Sequence, residues 1–184
     1  MDIDLHKTQQ YIDWLKEKLY LNHIAKNAKN RQIRRGEVYQ CKFGVGIGSE
    51  ECKERPCLIL QYDSANKTSP NTLVAPITHT LSTVPVIVPI VPKTDSSGKI
   101  ILDGNILLGN ITCVSKARLG NFVVKLSNDE MTAVDKAIAI SLNIFRYYET
   151  LQNKINDREQ FITKLQEQIV FLQNSLKNVS KKNS

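Results

Sequence analysis

Arg55-Pro56-Cys57-Leu58-Ile59-Leu60-Gln61-Tyr62 and Thr72-Leu73-Val74-Ala75-Pro76-Ile77-Thr78 are two short apolar runs, separated by a polar stretch from Asp63 to Pro70. Runs of this length, rich in β-branched residues and bounded by turn formers, read as strands. A glycine-rich segment, Gly44-Val45-Gly46-Ile47-Gly48-Ser49-Glu50, comes just before them. The stretch from Gly44 to Thr78 therefore reads as loop, strand, loop, strand.

The same character extends outward. Strands are expected over 37–43, 57–62, 72–78, 84–91, 99–102, 106–114 and 122–126. Thr94-Asp95-Ser96-Ser97-Gly98 and Asp103-Gly104-Asn105 carry hairpin-turn chemistry, and residues 63–70 read as a polar loop. So many short strands in so few residues predict a compact, strongly bent sheet or a small barrel. Pro76, Pro85 and Pro89 are expected at sheet edges or bulges, because proline cannot donate to a ladder.

Helices are expected on both sides of this centre, which makes the chain α+β. Leu5, Ile12, Leu15 and Leu19 recur at helical spacing with Tyr11 and Trp14 beside them, predicting an amphipathic N-terminal helix that needs a partner surface. Beyond the strands, Ser127 and Glu130 form a capping-box signature. Met131, Val134, Ile138, Leu142 and Phe145 then make a stripe expected to lie on the sheet. No glycine follows Gly120 and no proline follows Pro92, so nothing is expected to break a helix from there to the C-terminus.

From Tyr148 the period becomes heptad. Tyr148, Ile155, Ile162, Ile169 and Leu176 share one position, and Leu151, Arg158, Leu165, Leu172 and Val179 the other. Isoleucine at the first and leucine at the second favour a parallel two-stranded coil, against which Arg158 counts. Packing on the N-terminal helix, within one chain or between two, satisfies the pattern as well. Three parts result: a helix and basic linker over 1–33, a barrel domain over 34–146 and a heptad-patterned helix over 147–184.

Charge is unevenly distributed over the 184 residues. Residues 1–35 hold 8 Lys or Arg against 4 Asp or Glu, residues 36–145 hold 10 against 10, and residues 146–184 hold 7 against 4. Lys26, Lys29, Arg31, Arg34 and Arg35 form a run without an acid, which suits either phosphate-backbone contacts or a solvated linker. No apolar run is long enough to span a membrane, and Asp2, Asp4, Lys7 and Asp13 are unlike a signal peptide; a cytoplasmic protein is expected. Four cysteines without CxxC spacing and three scattered histidines argue for reduced, mostly buried thiols and against a zinc site.

Three residues carry possible chemistry. Arg55 precedes proline, which confines its backbone to extended conformations and so aims its guanidinium. A fixed fork of donors that never titrates suits a phosphate, although an ion pair with Glu50, Glu51 or Glu54 would use it equally well. Thr78 ends a strand and has a hydroxyl to offer the same phosphate. His79 is the sole histidine of the central domain, and an imidazole can take up and give a proton. The glycines at 44, 46 and 48 lack nucleotide-binding spacing and suit a mobile loop over a substrate or a plain hairpin.

In order and spacing, Arg35-Gly36-Glu37-Val38-Tyr39, Gly48-Ser49-Glu50, Arg55-Pro56-Cys57-Leu58-Ile59-Leu60-Gln61, Ser69-Pro70 and Ala75-Pro76-Ile77-Thr78 resemble the MazF/PemK ribonuclease toxins of bacterial toxin–antitoxin systems. Ile106-Leu107-Leu108, Arg118-Leu119 and the segments 126–127, 134–135 and 141–142 continue the likeness over about residues 34–145. The resemblance implies an SH3-like plasmid-toxin barrel, a homodimer, a cognate antitoxin, and cleavage of single-stranded RNA without metal or other cofactor. In that chemistry the 2′-hydroxyl attacks its own phosphate and leaves a 2′,3′-cyclic phosphate and a 5′-hydroxyl.

By motif position the resemblance assigns Arg55 to the phosphate and to proton donation, Thr78 as its partner, and Gly48, Ser49 and Glu50 to the loop over the site. His79 and Asn110 are counted with the substrate-binding residues. Where the family usually has Gln-x-Arg-x-x-Asp, this chain has Asn110, Thr112 and Ser115, which removes an arginine and an acid from RNA recognition. The helical arms are a second departure. Two other classes stay open: a barrel that binds RNA or inhibits a protein target, as gyrase-poisoning relatives do, and an assembly module whose arms oligomerise or block the site.

Overall fold

The structure, a computed structural model, describes residues 4–79 and 83–182, with the side chains of Phe145 and 174–182 excepted. Residues 1–3, within the expected N-terminal part, and the heptad side chains of Leu176 and Val179 lie outside the described residues, as does the Phe145 side chain. The contacts divide the chain into one unit over 1–141 and a second over 142–184.

In the first unit, strands β1 (Glu37–Gly44), β2 (Lys53–Ile59) and β3 (Asn71–Thr78) form an antiparallel meander. They are joined by β4 (Ile87–Pro89), β7 (Asn105–Leu107), β8 (Thr112–Ser115) and β9 (Leu119–Lys125) in the order β4-β7-β3-β2-β1-β9, with β8 on β3. Strands β5 (Lys93–Thr94) and β6 (Ile100–Leu102) make a separate hairpin. Among the described residues β4 and β9 do not pair, so the expected barrel is an open, bent sheet. The expected strand over 106–114 divides into β7 and β8, and both lie on the same side of β3, one along each half.

That division explains Pro76. The β2–β3 ladder runs from Ile59 opposite Val74 to Cys57 opposite Pro76, and β3 pairs with β7 from Ile77 onward. On the side of β3 away from β2, β8 pairs up to Val74 and β7 from Ile77, so proline, with no N–H to give, falls in the gap between those two ladders. Pro89 ends β4, an edge strand, as expected, and Pro85 lies outside any strand. Two buried clusters fill the sheet's faces. One gathers Val38, Leu58, Ala75, Ile106 and Leu108 with Met131 and Val134; the other gathers Tyr39, Cys41, Cys57, Ile59, Val74 and Leu119.

Helix α3 (Asn128–Ser141) starts as the capping signature predicts: Ser127 N donates to Glu130 Oε2 at 2.9 Å, and Glu130 N donates to Ser127 Oγ at 3.2 Å. Its stripe holds in part, since Met131 and Val134 are buried and Ile138 half-buried, whereas Leu142 is exposed. The absence of glycine and proline did not keep the helix continuous. α3 stops at Ser141 and α4 (Phe145–Lys182) starts after Asn143, whose φ of +52° is left-handed. Asparagine is one of the few residues with a side chain that visits this region at small cost.

Two further expectations are corrected. Residues 63–70 are not a plain loop: Asp63–Thr68 form a short helix, α2. It is held by Asn66, which is buried, accepts from Gln61 Nε2 and Thr72 Oγ1, and donates to the Gln61 carbonyl. Helix α1 (Leu5–Ala28) does form, yet it packs by another face than its leucine stripe predicts. Leu21 is buried and Trp14 and Glu17 half-buried, while Leu5, Ile12, Leu15 and Leu19 are exposed. Specific polar and aromatic contacts to the sheet, described below, outweigh the apolar stripe in choosing that face.

The basic run is divided as well. Arg31 donates to the carbonyls of Leu119 and Gly120 and lies 5.0 Å from the Tyr39 ring centre, and Arg35 donates to the Leu60 carbonyl and pairs with Asp135. Lys26, Lys29 and Arg34 stay exposed. The cysteines are all free: Cys41 and Cys57 are buried, Cys52 is half-buried, and Cys113 is exposed, so buried thiols are half of the set. The Cys57 thiol is pushed up by its hydrogen bond with Cys41 and by burial.

Candidate active site

The glycine-rich loop leaves β1 at Gly44, whose φ of +92° is one that side chains rarely adopt. A Cβ at Gly44 would stand 2.2 Å from the Trp14 ring, so the indole of α1 lies directly on this backbone. The loop then closes on itself. Ile47 N donates to Glu50 Oε2 at 2.9 Å, and Glu50 N donates to the Ile47 carbonyl at 3.2 Å. This uses the Glu50 carboxylate inside the loop. Gly48 (φ +61°) has open space around it.

The chain re-enters the sheet at Lys53, a non-glycine residue at φ +66°, and Arg55 follows on β2. Its Nη1 lies 2.6 Å from Glu51 Oε2, and its Nε donates to the Cys52 carbonyl at 3.2 Å. Of the three acids that the sequence offers Arg55, Glu51 is the partner. Asn110 Nδ2 donates to the other Glu51 oxygen at 3.3 Å, so one carboxylate ties β2 to the segment after β7. These side chains are partly covered, with Arg55 27% and Glu51 14% exposed.

Thr78 is half-buried at the end of β3, opposite Asn105 of β7. Extending the β2–β3 register by two residues beyond Cys57 and Pro76 sets Arg55 level with Thr78. The turn at Gly104 presses on this point, since a Cβ there would meet the Thr78 carbonyl oxygen at 2.6 Å. His79, with 78% of its side chain exposed, holds Asp103 Oδ1 at 2.7 Å.

A groove of about 810 Å³ runs between the glycine loop and residues 110–115, with Ser49, Glu50, Glu51, Asn110, Thr112 and Arg118 on its walls. Of the sequence-expected residues it gathers Ser49, Glu50 and Asn110. Arg55 joins them through Glu51, while Thr78 and His79 stand at the neighbouring strand end and Gly48 faces a different groove. That second groove, about 590 Å³, lies between α1 and the loop and is lined by Trp14, Glu17, Lys42, Gly48 and Lys53 among others. Lys42 Nζ and Glu17 Oε1, 2.6 Å apart, close one side of it. Thr112 on β8 is exposed, and Ser115 caps the following 3-10 turn (Lys116–Arg118) through Ala117 N.

Sequence reasoning missed two participants. Glu51 was visible only as one of three acids, because spacing alone does not say which carboxylate the loop turns toward Arg55. Arg118 donates to the Lys42 and Phe43 carbonyls and stacks 5.2 Å from the Trp14 ring centre, which puts a cation on the groove wall. Its place in the shared motif was the one available signal.

The domain is α+β, built on an open antiparallel sheet with a glycine-rich loop between β1 and β2. The model of the PemK-like, MazF-like toxins of type II toxin–antitoxin systems matches residues 34–142, and the chain belongs to that family. Among solved structures it is similar to an endoribonuclease in complex with its cognate antitoxin from mycobacterial species, at 25% identity and a TM-score of 0.51 over 60% of this chain and 95% of that one. A mycobacterial endoribonuclease matches at 23% identity and a TM-score of 0.50, covering 61% and 93%. MazF from Deinococcus radiodurans shares the fold at 18% identity and a TM-score of 0.51, covering 61% and 98%.

Proposed function

We propose that this toxin is an endoribonuclease that cleaves single-stranded RNA through Arg55 and Thr78. The observation that supports the reading is the β2–β3 ladder, which pairs Cys57 with Pro76 and, continued two residues past that last pair, would bring Arg55, aimed by Pro56, level with the strand-end hydroxyl of Thr78. A phosphate seated there displaces Glu51 from the guanidinium. The 2′-hydroxyl loses its proton to water as its oxygen attacks the adjacent phosphorus, the bond to the 5′-oxygen breaks, and the departing oxygen takes the proton that Arg55 donates, which water restores, to become a 5′-hydroxyl. The products are that end and a 2′,3′-cyclic phosphate.

Arg55 neutralises the charge that builds on the phosphoryl oxygens, and Thr78 donates to one of them. A guanidinium in this role makes a metal or other cofactor unnecessary. RNA is chosen over DNA because the nucleophile is the 2′-hydroxyl itself. Ser49, Glu50, Asn110 and Gly48 shape the approach, and His79 lies where the strand continues past the phosphate. Family membership supports a cognate antitoxin as partner, and the resemblance supports a homodimer.

The test is incubation of the purified chain with single-stranded RNA in a chelator, beside Arg55→Ala and Thr78→Ala, with the new ends mapped. Cleavage by the wild type that stops in Arg55→Ala and on a 2′-deoxy substrate is expected. Equal cleavage by wild type and Arg55→Ala would overturn the assignment.

A further inference from the structure

Helix α4 is 38 residues long, and every side chain described between Arg146 and Gln173 is exposed. A solitary helix draws no stability from packing, and one carrying an apolar stripe of this length is incomplete in water. The stripe is formed by Ile155, Ile162 and Ile169 at heptad position a and Leu151, Leu165 and Leu172 at position d. Among the described residues no ion pair forms within α4, and Lys154 and Glu159 are both left without one.

We propose that α4 is the docking surface for α4 of a second copy, in a parallel, in-register two-stranded coil. Occupant and direction follow from two independent features. β-Branched residues at a with leucine at d favour two parallel strands. Charge then selects the same arrangement, since Lys154 falls at g and Glu159 at e, five residues on. In a parallel coil, g of one helix faces the following e of its neighbour, which pairs Lys154 with Glu159 of the second copy twice over. In an antiparallel coil g faces g and e faces e, so these two charges can never meet.

Arg158 occupies a d position, where its counterpart in the second copy stands opposite. The hole that receives a d side chain is formed in part by the next e residue across the seam, here Glu159 of the second copy, so each guanidinium has a carboxylate at its rim. A polar group in the seam lowers affinity and fixes register. In the alternative occupant, the exposed stripe of α1 with Leu5, Ile12, Leu15 and Leu19, the flanking charges Asp13 and Lys16 already pair with each other at 3.6 Å.

The experiment uses the full chain with Cys52→Ser and Cys113→Ser, which removes the two accessible thiols. Leu165→Cys places a thiol at d, facing its own counterpart only when the helices are parallel and in register, and Gln160→Cys places one at the outward f position. Mild oxidation of dilute protein is expected to link Leu165→Cys into dimers at least tenfold more completely than Gln160→Cys. Adding Ile162→Asp to Leu165→Cys is expected to abolish that advantage, and Arg158→Leu to tighten self-association at least tenfold. Equal linking of the two cysteine variants, whether none or both, overturns the proposal. So does linking that persists with Ile162→Asp. A dimer formed by the sheet domain alone would still leave Leu165→Cys no better than Gln160→Cys.

Discussion

Glu51 Oε2 lies 2.6 Å from Arg55 Nη1, on the guanidinium that the proposed reaction would present to phosphate. The carboxylate is an intramolecular occupant of that place, held from its other side by Asn110. Glu51→Gln keeps a hydrogen-bonding side chain and removes the competing charge. A partly covered ion pair is worth about 1 kcal/mol, so KM for a short RNA falls about fivefold, with a smaller change in kcat. Steady-state kinetics on a defined oligonucleotide check this. A rise in KM would show that Glu51 holds Arg55 in position instead.

Gly44 and Trp14 form a coupled pair. Gly44→Ala meets both a left-handed φ of +92° and the indole at 2.2 Å, and costs about 2–4 kcal/mol in chemical denaturation. Trp14→Ala alone costs about 1–3 kcal/mol through lost packing and the lost contact with Arg118. In the double variant the clash is gone and only backbone strain remains. The two costs therefore fall short of additive by at least about 1 kcal/mol.

Glu130 joins the α3 cap to Lys93, whose Nζ lies 2.8 Å from its Oε1. Burial raises its pKa, but the hydrogen bonds from Lys93 and Ser127 outweigh burial and hold the carboxyl below its usual 4.5. A lowered folded-state pKa contributes stability that is present above the unfolded value and lost as pH falls through the folded one. Thermal melts of wild type and Glu130→Gln are therefore expected to differ at neutral pH and to converge as the pH falls below the usual carboxylate range.

Tyr39 is buried and its hydroxyl donates to Glu37 Oε2 at 3.0 Å. Burial and then Glu37 raise its pKa from 10.0 to about 12. Here the sign is opposite: the stability is full below 10.0 and is lost as pH rises toward about 12. Ultraviolet titration of the native protein should show one of its six tyrosines ionising late, and Tyr39→Phe should remove that component.

The strands, the capping box and the overall class were legible because each rests on local pattern: β-branched runs, turn chemistry, and Ser127 three residues before Glu130. What escaped was decided by distant partners. α2 is held by Asn66, whose hydrogen bonds reach to Gln61 and Thr72, and a polar loop has the same composition. α1 turns Trp14 and Glu17 inward because Gly44, Arg118 and Lys42 receive them, which periodicity within the helix does not record. The break at Asn143 needed only one residue able to adopt a left-handed φ. At the site, Arg55 and Thr78 were readable as residue types in a motif order, whereas the choice of Glu51 over Glu50 and Glu54 depended on how the loop closes.

Strand β1 sits between β2 and β9, with Glu37 opposite Lys125 and Val38 opposite Val124. A nascent chain emerging from the ribosome thus carries its first strand long before the last one exists to flank it. Non-local pairing of this kind is slow to form and comes late in folding. Both Arg55 and Thr78 are synthesised before β9, so the sheet that would align them is completed only when almost the whole domain has left the exit tunnel.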